Sequence, residues 1–205
     1  MIVTVGSPPS AQVVRRAVEA LRRDEVVALP TDTVYGIAAL PDRHGATERL
    51  FALKGRTAAF PLAVLCADVE QALSLADPVT PDVRRIAERL WPGPLTLVLP
   101  RRAELGYHLG EPARTIGVRC PDHDLVRELA RVVGPIAATS ANRHGQPTPT
   151  TAAGVAEVFG DEVALVLDGG PRPAAASTVV DASGPSWQIL RPGPVGADDL
   201  MAAAR

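Results

Sequence analysis

The sequence predicts an α/β fold, a twisted mixed sheet flanked by helices, on three observations. Short buried runs of β-branched residues and leucine alternate with amphipathic stretches of helical period. That alternation lacks the regular βαβ repeat of a dinucleotide-binding domain. An apolar content of 46% and a net charge of -2 are ordinary for a globular chain. Its 205 residues suit one domain, 1–205.

Met1 to Gly6 reads as an opening strand, without the basic n-region and long apolar run of a secretory leader. Ser10 is placed to cap a helix from Ala11 to Arg23, with Val13, Val14, Ala17, Val18 and Leu21 on one side. Val26 to Leu29 is a buried strand that runs into the polar loop Pro30 to Gly36. A helix from Ala46 to Lys54 stops at Gly55, a helix-ending glycine. Pro61 to Cys66 is a strand and Asp68 to Leu75 a short helix. Thr80-Pro81-Asp82 starts a helix that continues to Leu90, where Trp91-Pro92-Gly93-Pro94 breaks it.

Leu95 to Leu99 and Thr115 to Arg119 are strands, and a helix from Asp122 to Val133 stops at Gly134. Pro135 to Ala138 is a buried strand leading into Thr139-Ser140-Ala141-Asn142 and the loop Arg143 to Pro147. Helix Thr151 to Phe159, strands Val163 to Leu167, Thr178 to Asp181 and Trp187 to Leu190, and a helix near Ala197 complete the chain.

With little net charge there is no global basic field, so a polyanion must be met by a local cluster, and strong direct RNA binding is not expected. No stretch approaches the ~18 apolar residues of a membrane span. Cys66 and Cys120, in apolar segments, read as buried thiols of a reducing cytoplasm. Of 21 basic residues 20 are Arg and only Lys54 is Lys, and Asn142 is the one Asn. A compact ammonium and a planar guanidinium are not interchangeable, so the retained lysine marks a local chemical need.

Several polar clusters fall where a buried strand meets a loop, the usual ligand position in open α/β sheets. The Thr31 to Gly36 loop brings hydroxyls, a carboxylate and a phenol together; its bland reading is a turn capped by its own side chains. Lys54 and Arg56 flank Gly55 and could serve one phosphate group, or cap a helix end. Ser140 and Asn142 offer a hydroxyl and a carboxamide for phosphate oxygens or amide groups. Arg119 and Arg191 can each extend a fixed fork toward a carboxylate or phosphate.

Other chemistries are disfavoured. Ser140 lies in no Gly-x-Ser-x-Gly elbow, no phosphate loop of the Gly-x-x-x-x-Gly-Lys-Ser/Thr type exists, and His44, His108, His123 and His144 lack metal-ligand spacing.

Together, Pro30 to Gly36, Lys54-Gly55-Arg56, Trp91 to Thr96, Gly117-Val118-Arg119, Thr139 to Asn142, Ser177 to Asp181 and Leu190 to Gly193 resemble the YrdC-like threonylcarbamoyl-AMP synthase family, in its short single-domain form. The resemblance implies a YrdC-like fold and a nucleotidyltransferase that forms threonylcarbamoyl-AMP and pyrophosphate from L-threonine, bicarbonate and ATP. The product serves N6-threonylcarbamoyladenosine modification of tRNA position 37 through a downstream transferase. By position, Thr33, Arg119, Ala138 and Ser177 match threonine contacts. Arg56, Thr115, Ser140, Asn142, Thr148 and Arg191 fall to ATP, and Lys54 with Arg56 to the catalytic cations. Mg²⁺ is expected with ATP, and no protein metal site. Phe60, Leu65 and His144 depart from the family's usual residues. An RNA-binding module, or a carbamoyl-transferring relative, is the alternative.

Overall fold

A computed structural model describes residues 1–55, 61–172 and 175–205 of the chain, so Arg56 and Phe60 lie outside the described residues. The elements are β1 (Ile2–Thr4), α1 (Ala11–Arg22), β2 (Val27–Pro30), β3 (Tyr35–Ala39), α2 (His44–Lys54), β4 (Ala63–Leu65), α3 (Val69–Leu73), α4 (Pro81–Leu90) and β5 (Leu95–Pro100). There follow β6 (Thr115–Arg119), α5 (Asp124–Val133), β7 (Ile136–Ser140), α6 (Ala152–Phe159), β8 (Leu165–Asp168), β9 (Thr178–Asp181), β10 (Gln188–Arg191) and α7 (Ala197–Ala204).

Helix starts follow local chemistry. Ser10, Asp68, Thr80 and Thr151 each accept a backbone N–H of the first turn, satisfying a donor that the helix itself leaves unpaired. Gly55 ends α2 in the left-handed region at φ 64°, where a side chain would be strained. One expected loop is different. Pro30 to Gly36 is the tip of a hairpin in which β2 pairs antiparallel with β3, and only Thr31 to Val34 connect the strands. All five β3 residues are buried, so their sequence shows no polar alternation to mark a strand.

The described strands form one sheet in the order β1-β8-β2-β3-β7-β4-β6-β5-β9-β10. Pairs β1/β8, β8/β2, β4/β6 and β5/β9 are parallel and the others antiparallel, the mixed arrangement expected from the irregular alternation.

Register decides what each face does. Gly36 pairs with Ser140, Ala38 and Ala63 with Ala138, Ala63 with Gly117, and Leu65 with Arg119, which places these residues on one face. At the β8-β2-β3-β7 end, α1 and α5 cover that face with Val18, Leu21, Leu125 and Leu129 packed on Val27, Leu29, Ile136 and Leu167. The opposite face is covered by α2, α4, α6 and α7, in a larger core that includes Ile37, Val64, Leu97 and Val118. Beyond α5, the first face is lined by the small residues Gly36, Ala63, Gly117 and Ala138 and opens into a cavity of about 330 Å³. Cys66 and Cys120 are buried free thiols, both pushed up from the ordinary thiol pKa chiefly by burial, Cys120 to about 11.

Candidate functional site

Among the described residues few polar side chains are buried, and most of them surround this cavity: Thr31, Thr33, Lys54, Thr96, Arg119, Asn142 and Ser177. Burying polar groups is costly unless they are paired, so their gathering in one place marks a built site.

The hairpin tip forms one wall. The Thr31 hydroxyl accepts the N–H groups of Thr33 and Val34, each at 3.1 Å, and donates to the Val34 carbonyl at 2.7 Å. Thr31 therefore caps its own turn, as the bland reading of this loop has it. Its proton is committed, so in the 3.0 Å contact with Thr33 the donor is Thr33. Thr33 also accepts from Arg119 Nη1 at 2.9 Å.

Arg119, at the end of β6, is 5% exposed. Its Nε donates to the Gly93 carbonyl at 3.0 Å and its Nη2 to Asp32 Oδ1 at 2.6 Å. Burial pulls its pKa down from the ordinary value and the Asp32 carboxylate opposes that shift. Arg191, at the end of β10, donates from Nε and Nη2 to the Ser177 carbonyl at 3.1 and 2.9 Å, and from Nη2 to the Ser177 hydroxyl at 3.1 Å. The same hydroxyl lies 2.9 Å from that of Thr96 on β5. Burial, then the charge of Arg119, lowers the Arg191 pKa. One end of the cavity thus holds two guanidiniums and the hydroxyls of Thr31, Thr33, Thr96 and Ser177.

Ser140 lines the other part of the cavity and leads to a second cluster. Lys54 Nζ donates to the Ser140 carbonyl and hydroxyl, both at 2.8 Å, and to Asn142 Oδ1. The Ser140 hydroxyl donates to Asn142 Oδ1 at 2.7 Å, and Thr148 donates to the same oxygen at 3.2 Å. The Asn142 amide nitrogen donates to the carbonyls of Arg143 and Gln146, so both of its hydrogens hold the loop. Asn142 shapes Ser140 and Lys54 and has no donor left to offer outward. The loop is tied to the end of α2: the His144 N–H donates to the Lys54 carbonyl at 2.8 Å and Arg143 Nη1 to the Leu53 carbonyl at 2.8 Å. These bonds satisfy helix-terminal acceptors and bring Lys54 against Ser140.

Thr33, Thr115, Arg119, Ala138, Ser140, Ser177 and Arg191 share the cavity wall, and Lys54, Asn142 and Thr148 stand behind Ser140. Thr96 and Asp32 were not expected as site residues. Both lie inside motifs that the sequence shows, Leu95-Thr96 and Thr31-Asp32-Thr33, but only pairing with Ser177 and Arg119 gives them a task. Leu190, 55% exposed, sits on the rim.

The arrangement binds rather than attacks. The Ser140 proton goes to a carboxamide oxygen, which is no base, and His144 is exposed in its loop, so neither supports a nucleophilic serine. Among the described residues no group of three His, Cys, Asp or Glu could hold a metal.

Gly193 holds the Arg191 end in place. A Cβ there would lie 2.4 Å from the Thr178 nitrogen and 2.8 Å from the Ala176 oxygen, both backbone atoms that cannot swing aside. Gly193→Ala is expected to cost about 3 kcal/mol in urea denaturation, the upper part of the overpacking range. Unchanged stability would show that the β9–β10 region yields more readily than this packing implies.

The chain is similar to known proteins over most of its length. A family model described as Sua5_yciO_yrdC, Telomere recombination, matches residues 19–193. A Mus musculus protein named threonylcarbamoyl-AMP synthase is 39% identical over 194 residues, covering 89% of this chain and 67% of its own length. The Bacillus subtilis protein of that name is 38% identical over 192 residues, covering 92% of this chain and 56% of its own. The structure of Pyrococcus abyssi Sua5 complexed with L-threonine superposes with a TM-score of 0.90 at 35% identity, covering 99% of this chain and 60% of that one.

Proposed function

The chain belongs to the Sua5–YciO–YrdC family, and from that premise we propose that it is an L-threonylcarbamoyladenylate synthase. One observation carries the reading: a single sheet face presents a guanidinium and hydroxyl cluster beside a lysine, serine and carboxamide cluster. The first suits an amino acid's carboxylate and hydroxyl, and the second the phosphates of ATP.

In the reaction, threonine's amine and bicarbonate condense to a carbamate with loss of water. A carbamate oxygen then attacks the α-phosphorus of ATP, and pyrophosphate leaves as the P–O bond to it breaks. The protein supplies no covalent group. Thr33, Arg119, Ser177 and the Ala138 backbone hold threonine; Thr115, Ser140, Thr148, Arg191 and Arg56 hold ATP, with Asn142 acting through Ser140. Lys54 and Arg56 balance the charge that builds on the phosphates, since such transfers depend on alignment and electrostatics. The described cavity wall offers hydroxyls and cations but no carboxylate, so Mg²⁺ would enter as the counter-ion of ATP and we assign it no protein ligand. The product passes to a transferase that modifies tRNA.

Pyrophosphate release from ATP is expected to require both L-threonine and bicarbonate. A coupled phosphate assay with each component omitted tests this. Release that persists without threonine would point to a different acceptor, and no release alongside tight RNA binding would favour a binding module.

A further inference from the structure

We propose that Asp32 is a positioning residue for amino-acid recognition, acting through Arg119 and not by touching substrate; this rests on the reading above of Arg119 as the anchor of the threonine carboxylate. Asp32 does not line the cavity, whereas Arg119 does. The two side chains are 15% and 6% exposed and meet at 2.6 Å.

A guanidinium carries five N–H groups in one plane. Three are used inside the protein: Nε on Gly93, Nη1 on Thr33 and Nη2 on Asp32. These fix the plane and leave one N–H on each terminal nitrogen for a substrate carboxylate. Gly93 and Thr33 are neutral acceptors. Asp32 is the partner that supplies counter-charge to a buried cation, and a buried charge is tolerated only when so compensated. The need is sharpened by the second guanidinium, because Arg119 and Arg191 are close enough for the charge of one to lower the pKa of the other. His123, just before α5, also feels the Asp32 charge, but burial and then Arg172 hold it below its ordinary pKa, which limits its competition as a cation.

The signature of this role is selectivity for a substrate carboxylate. Asp32→Asn keeps the shape and one acceptor oxygen but removes the charge, and Asp32→Ala removes both. KM values for L-threonine, L-threoninamide and ATP, with thermal melts as the folding control, separate positioning from general loosening. The threonine KM is expected to rise about tenfold in Asp32→Asn and about 100-fold in Asp32→Ala, as a charge-assisted hydrogen bond is weakened and then lost. The ATP KM should stay within about twofold, and the preference for threonine over threoninamide should shrink by the same factors as the threonine KM rises. Folded variants that keep the wild-type preference, or in which the threonine and ATP KM rise together, overturn the proposal. Should wild type release no pyrophosphate with threonine, the synthase reading fails on its own. Calorimetric affinities for threonine and threoninamide in wild type and Asp32→Asn then decide the role of Asp32, and absence of threonine binding to wild type overturns both.

Discussion

Lys54→Ala is expected to lower threonine-dependent pyrophosphate release by about 10²–10³-fold at saturating substrate, the effect of removing one oriented electrostatic donor. Lys54 is 4% exposed and its ammonium points at Ser140 and Asn142. The substitution removes a charged donor from the Ser140 carbonyl and Asn142 Oδ1, which keep the Asn142 N–H and the Ser140 and Thr148 hydroxyls as donors, a stability cost of about 1.5–3 kcal/mol for hydrogen bonds to a charged group. Two further variants separate these effects. Lys54→Met keeps the stem's packing and should lose as much activity as Lys54→Ala while unfolding closer to wild type. Lys54→Arg keeps the charge, but a planar fork cannot reproduce three convergent bonds around a compact ammonium. A folded Lys54→Ala protein with turnover within threefold of wild type would remove Lys54 from the machinery.

For Arg119→Ala, two losses are expected together. The threonine KM should rise by at least about 100-fold, because a charge-assisted contact is lost. Stability should fall by about 3 kcal/mol, since Asp32 is left with an uncompensated, largely buried carboxylate. The double variant Arg119→Ala/Asp32→Ala removes both charges, so it should regain most of the stability and none of the threonine affinity. Denaturant midpoints and threonine saturation curves for the three variants test this. Recovery of both properties in the double variant would mean that Arg119 is a structural residue.

The helices were largely legible because their signals are local. The Ser10, Thr80 and Thr151 caps, Pro81 at a first turn and Gly55 at a helix end each act within about four residues of the boundary they mark. β3 was not legible, because a strand buried on both faces reads as an apolar continuation of the loop before it. Ser140, expected just after its strand, is the last residue of β7, held there by pairing with Gly36. That pairing depends on a hairpin about a hundred residues away in the chain.

By itself the sequence determined the mixed α/β class, the helix ends marked by a capping side chain or glycine and the rarity of Lys54 and Asn142, because composition and short-range backbone chemistry are written residue by residue. It also carried the motifs by which the family is known. The tertiary structure alone decided which residues share a site. Sheet register put Gly36, Ala63, Gly117, Ala138 and Arg119 on one face, and the reach of α1 and α5 determined how much of that face stays open. Asp32 and Thr96 find their side-chain partners 87 and 81 positions away. A hydrogen bond between such residues depends on where the whole sheet places them, and no local pattern in the chain encodes it.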